Sequence, residues 1–248
     1  MSATTNIGWT PYDDGIEDSH WRDTVVDKPE RLNTKPLIGG GIKYCPAFRD
    51  FWKNTFIVRM PFDLSIVKIG STLALGPSNT VHHIKLPEAF VSIEQDDTGA
   101  NIQVMLNNMF VSDEPNTIVE TLPPILHGCR DEIIYLNGKF DCYAWQRPLQ
   151  FGFRITKEVM DKMTPETGIS LDKGEAVMYI RFNTTNDTVA KLHQLNREDA
   201  KQLSEYVNRN TQLVRFMQNF SFKEIINRVR NRRPKKFLRT LHYGESKD

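Results

Sequence analysis

His82 and His83, with Glu88 a few residues on, are the side chains of this sequence best suited to hold a metal ion. Neutral imidazole and carboxylate are the ligands of iron and zinc sites built on β-strands. Their spacing works against such a site. Adjacent residues of a strand point to opposite faces, so His82 and His83 enter one site only across a bulge. The later histidines, His127, His193 and His242, fall outside the runs that pattern as strands. One inward and one exposed histidine is therefore expected, with no metal and no catalytic residue assigned. Asp96-Asp97 before Thr98-Gly99 brings two carboxylates together, as a calcium site would, but Asp and Gly supply the positive φ of a hairpin turn, which is the simpler reading. Gly39-Gly40-Gly41 before Lys43 lacks the Gly-Lys-Ser/Thr ending and the preceding strand of a phosphate loop. Cys45, Cys129 and Cys142 are widely and irregularly spaced, which reads as buried reduced thiols rather than a disulfide framework or zinc site. No cofactor is expected.

The charge distribution is the electrostatic anomaly. The chain carries 32 Lys and Arg against 31 Asp and Glu, a net +1. Seven of the basic residues, Arg228, Arg230, Arg232, Arg233, Lys235, Lys236 and Arg239, fall in the twelve-residue run from Arg228 to Arg239 with no acidic residue among them. That leaves 25 basic and 31 acidic residues, or −6, in the rest of the chain. Phe237 and Leu238 interleave the run, which suits contact with phosphates or with an acidic protein surface.

The elements follow from a change of period. From about Thr55 to Phe182 apolar residues alternate in short runs rich in β-branched and aromatic side chains, bounded by Gly, Pro, Asn or Asp. Ten runs pattern as strands, at residues 55–60, 63–69, 81–86, 89–94, 101–106, 117–122, 132–136, 140–145, 149–156 and 176–182. Ten short strands with no helix between them predict two packed antiparallel sheets, a jelly-roll-like β-sandwich. Asn137-Gly138 predicts a hairpin through Ile133–Trp145, because that dipeptide takes positive φ readily. From Asn196 the spacing becomes helical, with Asn196 as a cap above Asp199 and with Ala200, Leu203, Val207, Val214 and Met217 on one face. Ser221 with Glu224 predicts a second, shorter helix ended by Pro234. The expected organisation is an extended N-terminal arm over 1–41, a sandwich domain over 42–185, and a helical extension with its basic tail over 186–248.

Three stretches carry a resemblance. Cys45-Pro46-Ala47-Phe48 with Lys53-Asn54-Thr55-Phe56 and Pro61-Phe62-Asp63-Leu64 is the first, and Asn137-Gly138-Lys139-Phe140 running into Trp145-Gln146-Arg147-Pro148-Leu149 is the second. The third is Lys173-Gly174-Glu175-Ala176 before a strand. Together, over about residues 42–185, they resemble an uncharacterised family of β-sandwich proteins of tailed bacteriophages. The resemblance implies a sandwich of viral origin and carries no activity onto these residues.

With 25% charged and 39% hydrophobic residues, the composition is that of a folded globular chain, long enough to bury roughly three quarters of its unfolded surface. The start of the sequence has no basic segment leading into an apolar one, so neither secretion nor membrane insertion is expected, and the virion or the host cytoplasm is the expected location. The expected function is a non-catalytic phage structural or assembly-associated protein, in which the sandwich is a platform and the arm and tail make contacts with other virion or assembly proteins or with further copies of the chain. Two alternatives stand beside it. One is a cupin-like metal-dependent enzyme using His82 or His83 with Glu88. The other is a nucleic-acid-binding accessory protein acting through the basic tail.

Overall fold

The strands of this protein owe their order to alternating burial. In a computed structural model, residues 4–11, 28–34, 37, 44–76, 80–81, 84–85, 90–112, 114–143, 146–184 and 188–216 are described. In chain order the elements are β1 (Thr4–Pro11), β2 (Glu30–Arg31), α1 (Pro46–Phe51), β3 (Thr55–Arg59), β4 (Leu64–Ile69), β5 (Thr72–Leu75), β6 (Thr80–Val81) and β7 (Ile84–Lys85). They continue as β8 (Val91–Asp96), β9 (Gly99–Ser112), β10 (Ile118–Leu122), β11 (Ile134–Leu136), β12 (Lys139–Asp141), β13 (Pro148–Thr156) and α2 (Lys157–Lys162). The last are β14 (Ile169–Leu171), β15 (Ala176–Asn183), β16 (Val189–Gln194) and α3 (Arg197–Phe216).

The fold is mainly β, in a sandwich-like arrangement with a C-terminal helix. A six-stranded sheet runs β11-β13-β9-β1-β16, with β8 also paired to β9. It faces a five-stranded sheet, β12-β10-β15-β3-β2, and a three-stranded sheet, β14-β4-β5, across one apolar core. β13 shows the cause, since Leu149, Phe151, Phe153 and Ile155 point into that core while the residues between them face out. β3 instead reads as a continuous apolar run. Its Phe56 and Val58 enter the core and its Ile57 packs on the opposite face.

Both outer faces carry a further layer. On the six-stranded sheet, α3 lays Leu203 and Val207 on Met109 and Val111 of β9. The helix begins as its cap predicts, with Asn196 Oδ1 accepting the Asp199 N–H at 2.9 Å and Asn196 Nδ2 donating to Asp199 Oδ2 at 2.9 Å. On the five-stranded sheet, Trp52 and Leu32 cover Ile57, Ala176 and Tyr179. No helix among the described residues is long and apolar enough to cross a membrane.

The structure departs from the sequence reading at several places. Residues 4–11, expected in an extended arm, are an interior strand hydrogen-bonded on both sides, antiparallel to β9 and parallel to β16. Ile7 and Trp9 of this segment are buried in the core, and that burial holds it there. β16 likewise lies beyond the expected domain end at 185 and belongs to the same sheet. The strand expected over 81–86 is divided, with Val81 opposite Ile84 in the β6–β7 pair. β5 and β14 were not expected at all, being too short to show a pattern. The second helix expected after Ser221 lies outside the described residues.

The expected hairpin at Asn137-Gly138 is a corner instead. β11 pairs with β13 and β12 pairs with β10, so the chain passes there from one sheet to the other. Gly138 is not among the positive-φ glycines, and both its backbone groups are taken by Thr121. The Gly138 N–H donates to Thr121 Oγ1 at 2.7 Å, and its carbonyl accepts the Thr121 N–H at 2.9 Å. A Cβ built on Gly138 meets nothing within 4 Å. Gly138→Ala is therefore expected to change stability by less than about 0.5 kcal/mol, read as a melting temperature within about 2 °C of the parent. A loss above about 1.5 kcal/mol would mean that this corner is wrongly drawn.

Candidate functional site

The residues singled out by sequence separate sharply. His82, His83 and Glu88 lie outside the described residues, as do Arg228, Arg230, Arg232, Arg233, Lys235, Lys236 and Arg239 of the basic tail. Asp96 does sit at a turn: it pairs with Gly99 across the β8–β9 connection, and its Oδ1 accepts the Thr98 N–H at 2.8 Å. The Thr98 hydroxyl at 2.7 Å, then the Arg154 guanidinium at 2.9 Å and the Thr98 N–H, hold the Asp96 carboxyl down to about 2. Gly99 takes φ 151°, and a Cβ there would stand 2.3 Å from the Ile155 carbonyl, so the turn needs its glycine. The cysteines were expected to be buried; only Cys142 is, donating to the Thr117 carbonyl at 3.3 Å, while Cys45 and Cys129 are exposed. Among the described residues no group of three or more His, Cys, Asp or Glu side chains is placed to hold a metal ion.

A polar cluster lies on the outer face of the five-stranded sheet. Tyr179 is fully buried at the residue level, yet it carries its hydroxyl outward from β15 to the segment 123–129. The Leu126 N–H donates to Tyr179 Oη at 3.1 Å, and His127 Nδ1 lies 2.6 Å from the same oxygen. Burial pushes the Tyr179 phenol up to about 12. Burial and then the Arg59 charge lower the His127 pKa, with Glu30 opposing. The phenol thus keeps its proton, accepts the Leu126 N–H and donates to Nδ1 of a neutral imidazole. Trp52 closes the cluster edge-on to Tyr179 at 5.6 Å, and its indole N–H is buried without an acceptor among the described residues.

Beside it the charges are paired off. Arg181 donates from Nε to Glu120 Oε2 at 3.0 Å and lies 4.5 Å over the Phe51 ring. Lys139 Nζ reaches Glu120 Oε1 at 2.7 Å, and Arg130 grips Glu175 through two bonds of 2.7 and 2.8 Å. Burial alone would raise the Glu120 pKa; the bonds from Lys139, Arg181 and Asn183 overcome it and hold the carboxyl at about 2, against an ordinary 4.5. A depressed carboxyl contributes stability that is full above pH 4.5 and is lost as pH falls toward 2. Glu120→Gln should accordingly flatten the acid limb of stability against pH in that window. An acid limb of unchanged slope in urea titrations would mean that Glu120 is not held as described.

The Glu120 pairs join neighbouring strands, the Arg130–Glu175 pair joins two loops, and none leaves a nucleophile beside a free base. Exposed apolar and aromatic side chains stand in the segments that pack on this face. Tyr44 is 72% exposed, Phe51 48% and Ile125 53%, and α1 buries none of its side chains. Sequence reasoning missed this face because Tyr179 looks like one more residue of a buried strand, and His127 sits in a loop without pattern. No family model, no curated protein and no solved structure matches this chain.

Proposed function

We propose that this protein is a non-catalytic structural or assembly-associated component of a tailed bacteriophage, with the sandwich as a rigid platform and its flanking segments as contacts to other virion or assembly proteins. The observation that carries the reading is the exposure of Phe51 and Ile125, whose chain neighbours Trp52 and Leu126 pack on the outer face of the five-stranded sheet, with Tyr44 also exposed just before α1. Exposed aromatic side chains beside arginine, here Phe51 under Arg181, suit protein–protein contact. The neighbouring Tyr179–His127 and Arg181–Glu120 pairs are committed to holding that face in shape. The resemblance of residues 42–185 to phage β-sandwich proteins supplies the setting, and the basic run from Arg228 to Arg239 supplies a second contact, to an acidic partner.

Mass spectrometry of purified virions tests the setting, with the protein expected at a fixed copy number per particle; its absence from particles and from assembly intermediates would overturn the reading. The tail has its own test. Reversing Arg230, Arg232, Arg233 and Lys236 to Glu should abolish the salt-sensitive association while leaving the melting temperature nearly unchanged. Binding that persists in this variant would remove the tail from the account.

A further inference from the structure

Between Leu122, the last residue of β10, and Arg130, the chain lies against the outer face of the five-stranded sheet. Its two ends are fixed. Leu122 pairs with Tyr179 of β15, and Arg130 is held by Glu175 and by its N–H, which donates to Tyr135 Oη at 3.3 Å. Within the segment, the Ile125 N–H donates to the Pro123 carbonyl at 2.9 Å and the His127 N–H to the Pro124 carbonyl at 2.8 Å. Both bonds are internal and tie nothing to the sheet. Leu126 adds an apolar contact to the cluster of Trp52, Ile57 and Tyr179. Among the described residues, the only hydrogen bonds from residues 123–129 to the sheet are the two that meet at Tyr179 Oη.

A count of hydrogens at that oxygen sets the state of the ring. Tyr179 Oη accepts the Leu126 N–H, and the phenol hydrogen goes to His127 Nδ1, its one acceptor among the described residues. The imidazole hydrogen therefore sits on Nε2. Once the ring is protonated, Nδ1 is a donor as well. The Leu126 N–H, the imidazolium N–H and the phenol O–H then converge on a single oxygen, and the phenol hydrogen has no acceptor left. The charges round the ring also oppose the cation. Arg59 of β3 is pinned by its bonds to the Gly174 carbonyl at 2.9 Å and to Glu30 Oε2 at 3.3 Å, so its charge stays where it is. Glu30 of β2 attracts the imidazolium, but it is 65% exposed and shared with Arg59. Cys129, on the segment itself, has its thiol pushed up by burial and then by Asp131, and stays neutral. His127 is exposed as a residue, so solvent protons reach the ring although its Nδ1 edge lies against Tyr179.

We propose that His127 and Tyr179 form an acid-sensitive latch, closed while the imidazole is neutral and opened when it takes up a proton, and that the latch fastens residues 123–129 to the sheet. Opening turns the imidazolium out to solvent and leaves the segment on the Leu126 N–H and its apolar contact alone. The direction follows from linkage. Burial and then Arg59 hold the folded ring below its ordinary 6.5, with Glu30 opposing, so the folded ring binds its proton less readily than the free one. The latch thus contributes in full above pH 6.5, and its contribution is lost as pH falls from there through the lower folded value. Glu120 titrates in a separate window, from 4.5 down to about 2. Ile125, 53% exposed, rides on the latched segment, so acid rearranges part of the exposed apolar face. What this does to a partner rests on the reading of that face as a contact surface; the latch does not.

The test is amide hydrogen exchange on the full chain from about pH 7.5 to about pH 5, corrected for the intrinsic exchange rate at each pH. Protection at Leu126 should fall below pH 6.5 by up to about tenfold per pH unit, the limit for uptake of one proton, while the β13 amides inside the six-stranded sheet change little. His127→Asn keeps an acceptor near the Nδ1 position and cannot titrate, so its Leu126 amide should stay protected throughout. Tyr179→Phe removes the shared oxygen and should leave Leu126 weakly protected at both ends of the range. Protection at Leu126 that ignores pH in the parent would overturn the latch, as would the same pH dependence in parent and His127→Asn. The ring nitrogens give an independent check by NMR. The Nε2–H tautomer is expected at about pH 7.5, and an Nδ1–H tautomer would overturn the latch, because the phenol would then have no acceptor to lose. No arm of the test involves a partner or a virion, so the latch and the proposed function fail separately.

Discussion

Phe182→Ala lowers stability by about 3–5 kcal/mol, one of the two largest losses expected from a single substitution here. Phe182 is 1% exposed and stands where the two main sheets meet, edge-on to Phe56 of the five-stranded sheet at 5.6 Å and to Phe110 of the six-stranded sheet at 5.4 Å. Removing the ring takes away its transfer free energy and both aromatic contacts, and it opens a cavity that rigid sheets on either side close only partly. The melting temperature should fall by about 10 °C or more, a large share of what a domain of this size has to lose. Phe182→Leu, which keeps most of the volume, should lose less than half as much. Equal losses for the two variants would mean that the three rings do not form the contact between sheets.

Asn54→Ala is expected to cost about 3–5 kcal/mol for a different reason. Asn54 is 4% exposed, takes φ +61°, and uses both ends of its amide to fasten β16. Alanine pays about 1–2 kcal/mol to hold the left-handed conformation. It also orphans the buried Ala190 N–H, for about 1–3 kcal/mol more. The Thr188 carbonyl keeps the Thr184 hydroxyl at 3.2 Å, so its loss is smaller. Asn54→Gly separates the two causes: it relieves the backbone and leaves the bonds missing, so it should fall between parent and Ala variant in denaturant titration. Asn54→Asp keeps the acceptor for Ala190 but turns a carboxylate oxygen toward the Thr188 carbonyl, and should also be destabilised. An Ala variant within about 1 kcal/mol of the parent would show that β16 is not held by this side chain.

What could be read from sequence depended on whether the cause of an element was local. β3, β10, β13 and β15 alternate plainly or run continuously apolar, and they are strands. The Asn196–Asp199 cap announces α3 through side chains three residues apart. β1 has no such signal: Thr4, Thr5 and Asn6 are polar, and Gly8 and Pro11 disfavour a strand. It is a strand because of partners about a hundred or more residues away, and its glycine, which reads as a breaker, is what leaves room for Leu195 and Val111 beside it. Asn137-Gly138 misled in the opposite sense. The dipeptide suits a tight hairpin, but Thr121 on a neighbouring strand captures both backbone groups of Gly138 and draws the chain round a corner. The Tyr179–His127 contact joins residues far apart in the chain, and neither flank carries a pattern that would pair them.

The position of β1 sets the order of events during synthesis. At about 5–20 residues per second, roughly 10–40 s pass between translation of β1 and of β16, the strand that lies alongside it. For that interval Ile7 and Trp9 belong to a nascent chain whose sheet has no place ready for them, and β9 offers one open edge well before β16 provides the other. Closure of the domain therefore waits until β16 has been made.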